Sequence, residues 1–289
     1  MSNTLMTSTT STLGRLVLKK FRHRKVPTRI PKAPIAVCFG GGGGYAYGFN
    51  MGVAEGLLDG GVDISKWPMI GTSAGSHAVA SVARGHRFAD LAPEWSALGE
   101  TIKRPFWIRA SDLSEACYAE DPMGGPYGGV AVRMLTYRRR ILWADEVSAV
   151  DYTAASSTVF PAARPHRIGG RRYIDGGFRS AASADLAPAA ELLLLITAFA
   201  DPRQGVLGRA GRWQARREIP KWQRTHAGQV IHVRPTAEMT EIKMRGIRAL
   251  GDIELGRAVY DLARPLGLEL ARQLQVDHSD LLSACDKMS

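Results

Sequence analysis

The stretch with the clearest chemical potential is Gly71-Thr72-Ser73-Ala74-Gly75, which has the spacing Gly-x-Ser-x-Gly. It follows a short apolar run, Pro68 to Ile70, and precedes an alanine-rich helical pattern that continues to about Arg84. Such a turn lifts a serine hydroxyl out between a strand and a helix, and the flanking glycines leave room for it. Ser73 is therefore a candidate nucleophile. An ordinary glycine and serine turn is the alternative.

A glycine loop, Gly40 to Gly44, lies upstream of this turn and follows the apolar strand pattern Ile35 to Phe39. Backbone amides in such a loop can bind an anion. A dinucleotide would require Gly-x-Gly-x-x-Gly, whose last position falls here on Tyr45, Ala46 or Tyr47. A mononucleotide loop would end in Gly-Lys-Ser/Thr, and this one does not. The expected anion is therefore the oxyanion of an acyl-transfer intermediate, with a flexible turn as the alternative.

The third candidate is Asp175, which ends the short strand pattern Arg171 to Ile174 and is followed by Gly176-Gly177. An aspartate in a tight glycine turn can hold its carboxylate toward a neighbouring side chain, as a general base must. The alternative is a plain turn in which the carboxylate bonds to its own backbone.

The elements that must position these residues alternate between strands and helices. Leu192 to Thr197 and Val230 to Val233 have the continuous apolar composition of buried strands, and residues 238–282 have a helical pattern. This alternation predicts an α/β fold with a largely parallel sheet covered by helices on both faces. Residues 86–150 lack clear periodicity and mix aromatic residues with helix breakers. For them we consider both a cap over an apolar pocket and ordinary core.

Positive charge is concentrated at the amino terminus. The 289 residues have a formal net charge of +11, and residues 1–34 contain arginines and lysines but no acidic residue. We interpret 1–34 as a basic, mobile arm and 35–289 as one domain. Such an arm favours peripheral contact with an anionic membrane surface, and a solvated tail that aids solubility is the alternative. No base-reading motif is present, so no specific nucleic acid is expected.

Other features of the chain bear on its location. The longest apolar run, Leu192 to Ala200, is too short to span a membrane, and no signal peptide is recognisable. Three cysteines, Cys38, Cys117 and Cys285, are far apart in sequence and lack metal-ligand spacing. These features predict a cytoplasmic protein without a disulfide framework or a zinc site.

Taken in order, the glycine loop, Gly-Thr-Ser-Ala-Gly and Asp-Gly-Gly resemble the motifs of the patatin-like phospholipase family, from about Ile35 to the last third of the chain. The resemblance implies a three-layer α/β/α sandwich and a lipid acyl hydrolase with a Ser-Asp dyad. It assigns Ser73 as nucleophile and Asp175 as general base. It assigns Gly42, Gly43 and Gly44 as oxyanion donors, and it requires no cofactor and no metal.

The chain departs from the family pattern at two places. The family's glycine loop contains a basic residue, whereas Ala46 or Tyr47 stands at that position here. The asparagine and proline that usually follow Asp-Gly-Gly are also replaced between Phe178 and Ala184, although Asp185 matches an acidic position. These departures leave two alternatives open, a catalytically weakened lipid-binding or regulatory protein and a non-lipid carboxylesterase.

A conventional triad would need a histidine after the acid, and His226 or His232 has the required chain order. His232 lies in an apolar strand pattern, which is more typical of a structural residue. His77 is one helical turn beyond Ser73 and is a candidate to line the site. The dyad remains the main hypothesis.

Overall fold

The computed structural model describes residues 31–102, 110–119, 124–244 and 247–287. Most of the predicted basic arm, residues 1–30, lies outside the described residues. From Lys32 onward the described residues form one compact unit. The first strand begins at Ala33, two residues before residue 35, the predicted start of the domain.

Strands and helices alternate as the apolar patterns predict. The strands are β1 (Ala33–Phe39), β2 (Met69–Thr72), β3 (Tyr127–Arg133), β4 (Arg138–Trp143), β5 (His166–Ile168), β6 (Arg171–Asp175), β7 (Ala190–Ile196) and β8 (Gln229–Val233). The helices are α1 (Gly43–Asp59), α2 (Ala74–Ala83), α3 (Phe88–Ile102), α4 (Ala110–Tyr118), α5 (Ala149–Ser157), α6 (Gly205–His226), α7 (Ala237–Glu241), α8 (Ile253–Asp277) and α9 (Ser279–Asp286). Short 3-10 helices occur at Gly176–Phe178, Ala184–Leu186, Pro202–Gln204 and Ile247–Gly251.

These strands form one mixed sheet in the order β5-β6-β3-β2-β1-β7-β8, and β4 also pairs with β3. The central strands β3, β2, β1, β7 and β8 are parallel, whereas β4, β5 and β6 form the antiparallel pairs. The fold is therefore α/β with a largely parallel central sheet, as predicted, and helices on both faces make a three-layer α/β/α sandwich.

The two faces of the sheet pack against different helices. Ile35, Val37 and Phe39 of β1 belong to the core on the side of α1, α2 and α8. Ala36 and Cys38 alternate with them and belong to the core that includes α6. Alternating side chains on opposite faces are what a strand buried on both sides requires.

Helices α1 and α8 are in close backbone contact. A Cβ atom at Gly48 of α1 would overlap the carbonyl of Gly256 in α8, and further along a Cβ at Gly56 would crowd Gly267. Glycines at four-residue spacing on α1 therefore form the surface on which α8 packs. This close packing holds the amino end of α1, and with it the glycine loop, against the start of α8.

For residues 86–150 the sequence left a cap and ordinary core as alternatives. Residues 127–143 form β3 and β4, and β3 lies in the interior of the sheet, so this part of the range is ordinary core. Among the described residues of the range, Trp95 of α3 and Ala110 and Leu113 of α4 line the cavity beside Ser73. Among the described residues, no helix combines the length and the hydrophobicity needed to cross a lipid bilayer.

Candidate active site

Ser73 lies at the sharp turn between β2 and α2. Its backbone angles, φ 53 and ψ −123, are ones that residues other than glycine rarely adopt. A Cβ atom at Gly75 would overlap the carbonyl of Phe39, and one at Gly71 would overlap the backbone of Gly75. Both glycines of the motif are therefore needed for the turn to pass this close to β1.

Sheet register brings Asp175 to the same point. On one edge of β3, β2 pairs with the first half of the strand and β6 pairs with the second half. Thr72, the residue before Ser73, is aligned with Val130, and Asp175 is aligned with the next residue, Ala131. The carboxyl ends of the two strands therefore meet head to head, with the candidate nucleophile and base side by side.

The Asp175 carboxyl is buried, and its residue is only 5% exposed. Burial raises its pKa to about 6, while hydrogen bonds from the Ser73 hydroxyl and from the Gly177 amide lower it. The Gly177 amide donates to Oδ1 over 2.6 Å. The carboxyl thus lies beside the serine hydroxyl and has a higher proton affinity than that of an exposed aspartate.

Ser156, near the end of α5, is hydrogen-bonded to the turn that carries Ser73. Its hydroxyl accepts a hydrogen bond from the Ser73 backbone amide at 2.8 Å and donates one to the carbonyl of Val130 at 2.7 Å. It therefore ties the turn to the strand that also positions Asp175. The small-residue stretch around Ser156 gave no indication of this role in the sequence, because the contact depends on how α5 packs against β3.

The glycine loop divides into two parts. The amides of Gly40 and Gly41 donate to the carbonyls of Ile196 and Ala181, each at 2.8 Å. Gly42 and Gly43 have φ angles of 140° and 64° and line the same cavity as Ser73. Gly43 begins α1, and the first amides of a helix have no carbonyl one turn earlier to accept them.

The predicted oxyanion donors are therefore not equivalent. Gly42 and Gly43 lie in the cavity wall beside Ser73, whereas Gly44 is not part of the lining. A Cβ atom at Gly44 would instead overlap the carbonyl of Asp252. Gly44 packs against the start of α8, so its position serves helix packing.

Among the described residues that line the cavity there is no lysine or arginine, and an amide side chain contacts the glycine loop instead. Asn50 is fully buried on α1, and its Nδ2 donates to the carbonyl of Gly40 at 2.8 Å. Ala46, at the departing position, packs under Gly42, and the Tyr47 hydroxyl is hydrogen-bonded to Ser81 Oγ at 3.1 Å. Both departing residues are buried in the core, where a charged side chain would have no partner.

Ser73 and Asp175 open into a cavity of about 820 Å³. A volume of this size is typical of small-molecule sites. Its wall is mostly apolar and is formed by the glycine loop, α2, α3, α4, α6 and the segment after α5. The apolar side chains that define it include Trp95, Leu113, Val159, Phe178, Phe199 and Leu207.

His77 lines this cavity and is fully buried. Neither ring nitrogen has a hydrogen-bond partner, and burial lowers its pKa to about 3, so the ring is neutral at physiological pH. His226 and His232 are not among the lining residues. His232 is hydrogen-bonded to Thr197 Oγ1 at 2.7 Å, and the His226 ring packs on Trp222. A Ser-Asp-His triad through either of them is not formed.

Other reactive side chains lie away from Ser73. Cys38, Cys117 and Cys285 are buried cysteines outside any disulfide, and burial raises the pKa of each thiol. In the described part of the chain, no group of three or more His, Cys, Asp or Glu side chains is arranged to hold a metal ion. Asp185 is engaged in a separate cluster with Arg139 at 2.8 Å and Lys221 at 2.6 Å.

No protein-family model and no curated protein matches the chain. The resemblance to patatin-like phospholipases therefore depends on the sequence motifs and on the arrangement of the site.

Proposed function

We propose that this chain is a serine acyl hydrolase of the patatin-like type, which cleaves acyl esters of lipids or phospholipids. The observation that carries the proposal is that Ser73 and the buried Asp175 carboxyl lie side by side at the wall of one apolar cavity. A hydroxyl in a strained turn, next to a base with raised proton affinity, is the arrangement that nucleophilic catalysis requires.

In the first half-reaction, Ser73 Oγ attacks the ester carbonyl carbon and its proton passes to Asp175. The carbonyl oxygen becomes an oxyanion, which the amides of Gly42 and Gly43 face and stabilise. Collapse of this intermediate breaks the bond to the alcohol, which leaves with the proton from Asp175. The acyl group remains on Ser73.

In the second half-reaction, Asp175 takes a proton from water, and the resulting hydroxide attacks the acyl-enzyme. The oxyanion forms again at the same amides, and its collapse releases the fatty acid while the proton returns to Ser73. Asp175 thus acts as base and as acid in each half of the cycle. A base with a pKa near 6 is well matched to both roles at neutral pH.

The apolar wall supports an acyl chain as the group bound next to the ester. Burial of each methylene contributes about 0.8 kcal/mol, so a longer chain gains affinity until the cavity is filled. The buried cysteine thiols fit a reducing, cytoplasmic compartment. Asn50 holds the glycine loop through its hydrogen bond to the Gly40 carbonyl, which supports activity without the basic residue that the family's loop contains.

The proposal is tested by labelling with a fluorophosphonate and by hydrolysis of p-nitrophenyl esters of increasing chain length. Ser73→Ala is expected to abolish both. Ser157→Ala is the matched control, because Ser157 lines the same cavity but does not lie on the elbow. This control is expected to label and to hydrolyse like the unchanged protein.

Two outcomes would favour the alternatives. A folded protein that neither labels nor hydrolyses any ester would indicate a lipid-binding or regulatory role for the cavity. Rapid hydrolysis of acetate or butyrate esters with no gain for longer chains would indicate a non-lipid carboxylesterase.

A further inference from the structure

The surface around the cavity is unusually apolar. In the described part of the chain, five large apolar side chains that are exposed line the cavity or adjoin a lining residue in sequence: Phe160, Phe178, Val206, Leu207 and Trp213. Tyr137, in the same turn as the exposed Leu135, contacts Arg179 beside Phe178. By contrast, the exposed Leu58 and Val276 lie near the far ends of the parallel helices α1 and α8. A helix of this length places Val276 on the order of 30 Å from the glycine loop.

One side of the opening is the first half of α6. Leu207 is 48% exposed and also lines the cavity, so it lies at the rim. Val206 is 71% exposed, and Trp213 is 58% exposed beside the lining residue Gln214. Water-exposed valine, leucine and tryptophan at the rim of an apolar cavity are costly unless another apolar phase covers them.

The turns after β6 and β3 form a second group of exposed apolar residues, and the segment after β6 contacts α6 through the Ala181 amide, which donates to Gln214 Oε1 at 3.1 Å. Phe178 is 41% exposed and lines the cavity directly after the Asp175 turn. The guanidinium of Arg179 lies over the ring of Tyr137, 5.4 Å from its centroid, which joins the two turns. Leu135, in the same turn as Tyr137, is 87% exposed. Both α6 and these turns therefore present apolar groups next to cations.

The charge on α6 is strongly positive. The helix contains six arginine and lysine residues and a single acid, Glu218, which is buried and hydrogen-bonded to Arg139 at 3.1 Å. Arg209, Arg212 and Arg216 are exposed, and a further arginine, Arg217, lies 4.6 Å above the Trp213 ring. Arginine and tryptophan together on an exposed helix suit the headgroup layer of a membrane, where the ring and the aliphatic stems lie in the apolar boundary.

We propose that the first half of α6 and the turn carrying Phe178 form a docking face for an anionic lipid bilayer, with the cavity opening directly onto the membrane. The arginines contact lipid phosphates, and Val206, Leu207 and Trp213 enter the boundary between headgroups and acyl chains. An acyl chain can then pass from the bilayer to Ser73 without crossing water. The docking itself does not require catalysis, whereas the transfer of an acyl chain to Ser73 rests on the proposed function.

Docking is tested by vesicle flotation of the full chain in the Ser73→Ala background, so that no turnover occurs and a failure of catalysis leaves the test intact. The vesicles are phosphatidylcholine alone and an equimolar mixture of phosphatidylcholine and phosphatidylglycerol. The apolar variant is Val206→Ser with Trp213→Ser, and Val276→Ser is the matched control on α8. The cationic variant changes Arg209, Arg212 and Arg216 to Gln.

We expect the apolar variant to lose at least ~10-fold in partitioning to the mixed vesicles, since each removed methylene-sized group weakens burial in the bilayer. The Val276→Ser control is expected to bind like its parent. The cationic variant is expected to lose about 100-fold on mixed vesicles and little on phosphatidylcholine, because each arginine near an anionic surface contributes a factor of about five. Helical content from circular dichroism checks that each variant is folded.

Equal partitioning of parent and apolar variant would overturn the proposal. A nucleic-acid surface would give a different pattern. In that case the apolar variant would bind vesicles like its parent, and the cationic variant would lose a strongly salt-dependent affinity for duplex DNA. This result would also overturn the proposal.

Discussion

Replacing Asp175 by asparagine is expected to abolish ester hydrolysis and, at the same time, to make the folded protein more stable at pH 8. Asparagine retains an oxygen that can accept from the Gly177 amide, but it cannot take the Ser73 proton. The gain in stability arises because the native carboxylate is charged in a buried site. The asparagine variant has no such charge to desolvate.

The pKa of Asp175 gives the size and the pH window of this effect. Folding raises it from 3.8 to about 6, a difference of roughly two units, which corresponds to roughly 3 kcal/mol. The folded state therefore binds the proton more tightly than the unfolded state, and the contribution of Asp175 to stability falls as pH rises from about 4 to about 6. The stabilisation by asparagine is full at pH 8, about half as large near pH 5, and small near pH 4.

Thermal unfolding followed by circular dichroism measures the effect, and at pH 8 the variant is expected to melt roughly 5–10 °C higher. Asp185→Asn is the matched control, and it is expected to lower the stability of the fold where Asp175→Asn raises it. The carboxylate of Asp185 is also buried, but Arg139 and Lys221 hold its pKa below the usual value despite the opposing effect of burial. Removing its charge leaves Arg139 with fewer partners, and a loss of about 3–5 kcal/mol is expected.

A folded Asp175→Asn variant that melts at or below the temperature of the unchanged protein at pH 8 would refute this reasoning. It would mean that the carboxylate is stabilised by solvent or by contacts that offset its burial. A gain that does not shrink between pH 8 and pH 5 would equally contradict the assignment of the effect to the charge of Asp175.

Four further predictions concern the same site. The kcat/KM for a short-chain p-nitrophenyl ester should rise tenfold per pH unit below about 6 and level off above it, as Asp175 loses its proton. Gly75→Ala should cost more than about 2 kcal/mol of unfolding free energy and most of the activity because its Cβ meets β1, whereas Gly124→Ala, with open space around it, should change neither. Asn50→Leu should lower kcat by roughly 10²-fold with little change in KM, since it releases the loop carbonyl that orients the oxyanion amides. His77→Leu should keep the activity and raise the melting temperature, more at pH 5 than at pH 8. The pKa of His77 is about 3 in the folded protein and 6.5 in the unfolded chain, so His77 destabilises the folded state as pH falls below 6.5.

The elements nearest the candidate site were predictable because their signals are local. The turn at Ser73 and the strand end at Asp175 each depend on a few consecutive residues. The glycines among these residues indicate a tight turn. The strands β1 and β7 have continuous apolar composition and are buried, as predicted. β8 was also predicted to be buried, but it is the edge strand of the sheet and only Val233 is buried, because among the described residues no further strand covers its outer side. The alternation of apolar strands with helices was enough for the fold class.

The strand β3 was not predicted, and the reason is physical. It contains Gly128 and Gly129, which follow Pro126 and Tyr127, a combination typical of a loop. These glycines occur within a strand because their neighbours approach closely. A Cβ at Gly129 would lie 2.7 Å from the carbonyl oxygen of Tyr152, and one at Gly128 would lie 2.9 Å from that of Leu142. The choice between cap and core for residues 86–150 was left open for the same reason, because the sequence shows helix breakers and not the packing that requires them.

The unpredicted strand is also what joins the two predicted residues of the dyad. Ser73 and Asp175 are a hundred positions apart and share no local motif, and their meeting depends on β2 and β6 ending at neighbouring residues of β3, Val130 and Ala131. Because β2 is parallel to β3 and β6 is antiparallel to it, a slip of one residue in either pairing would move a carboxyl end along β3 by more than 3 Å and reverse its side-chain direction. The hydrogen bond to Val130 from the serine at the end of α5 holds this register at the point where it matters. Short sequence motifs therefore indicate which residues carry the proposed chemistry of the site. Its geometry is determined by the pairing of β3, a central strand that carries no proposed catalytic side chain.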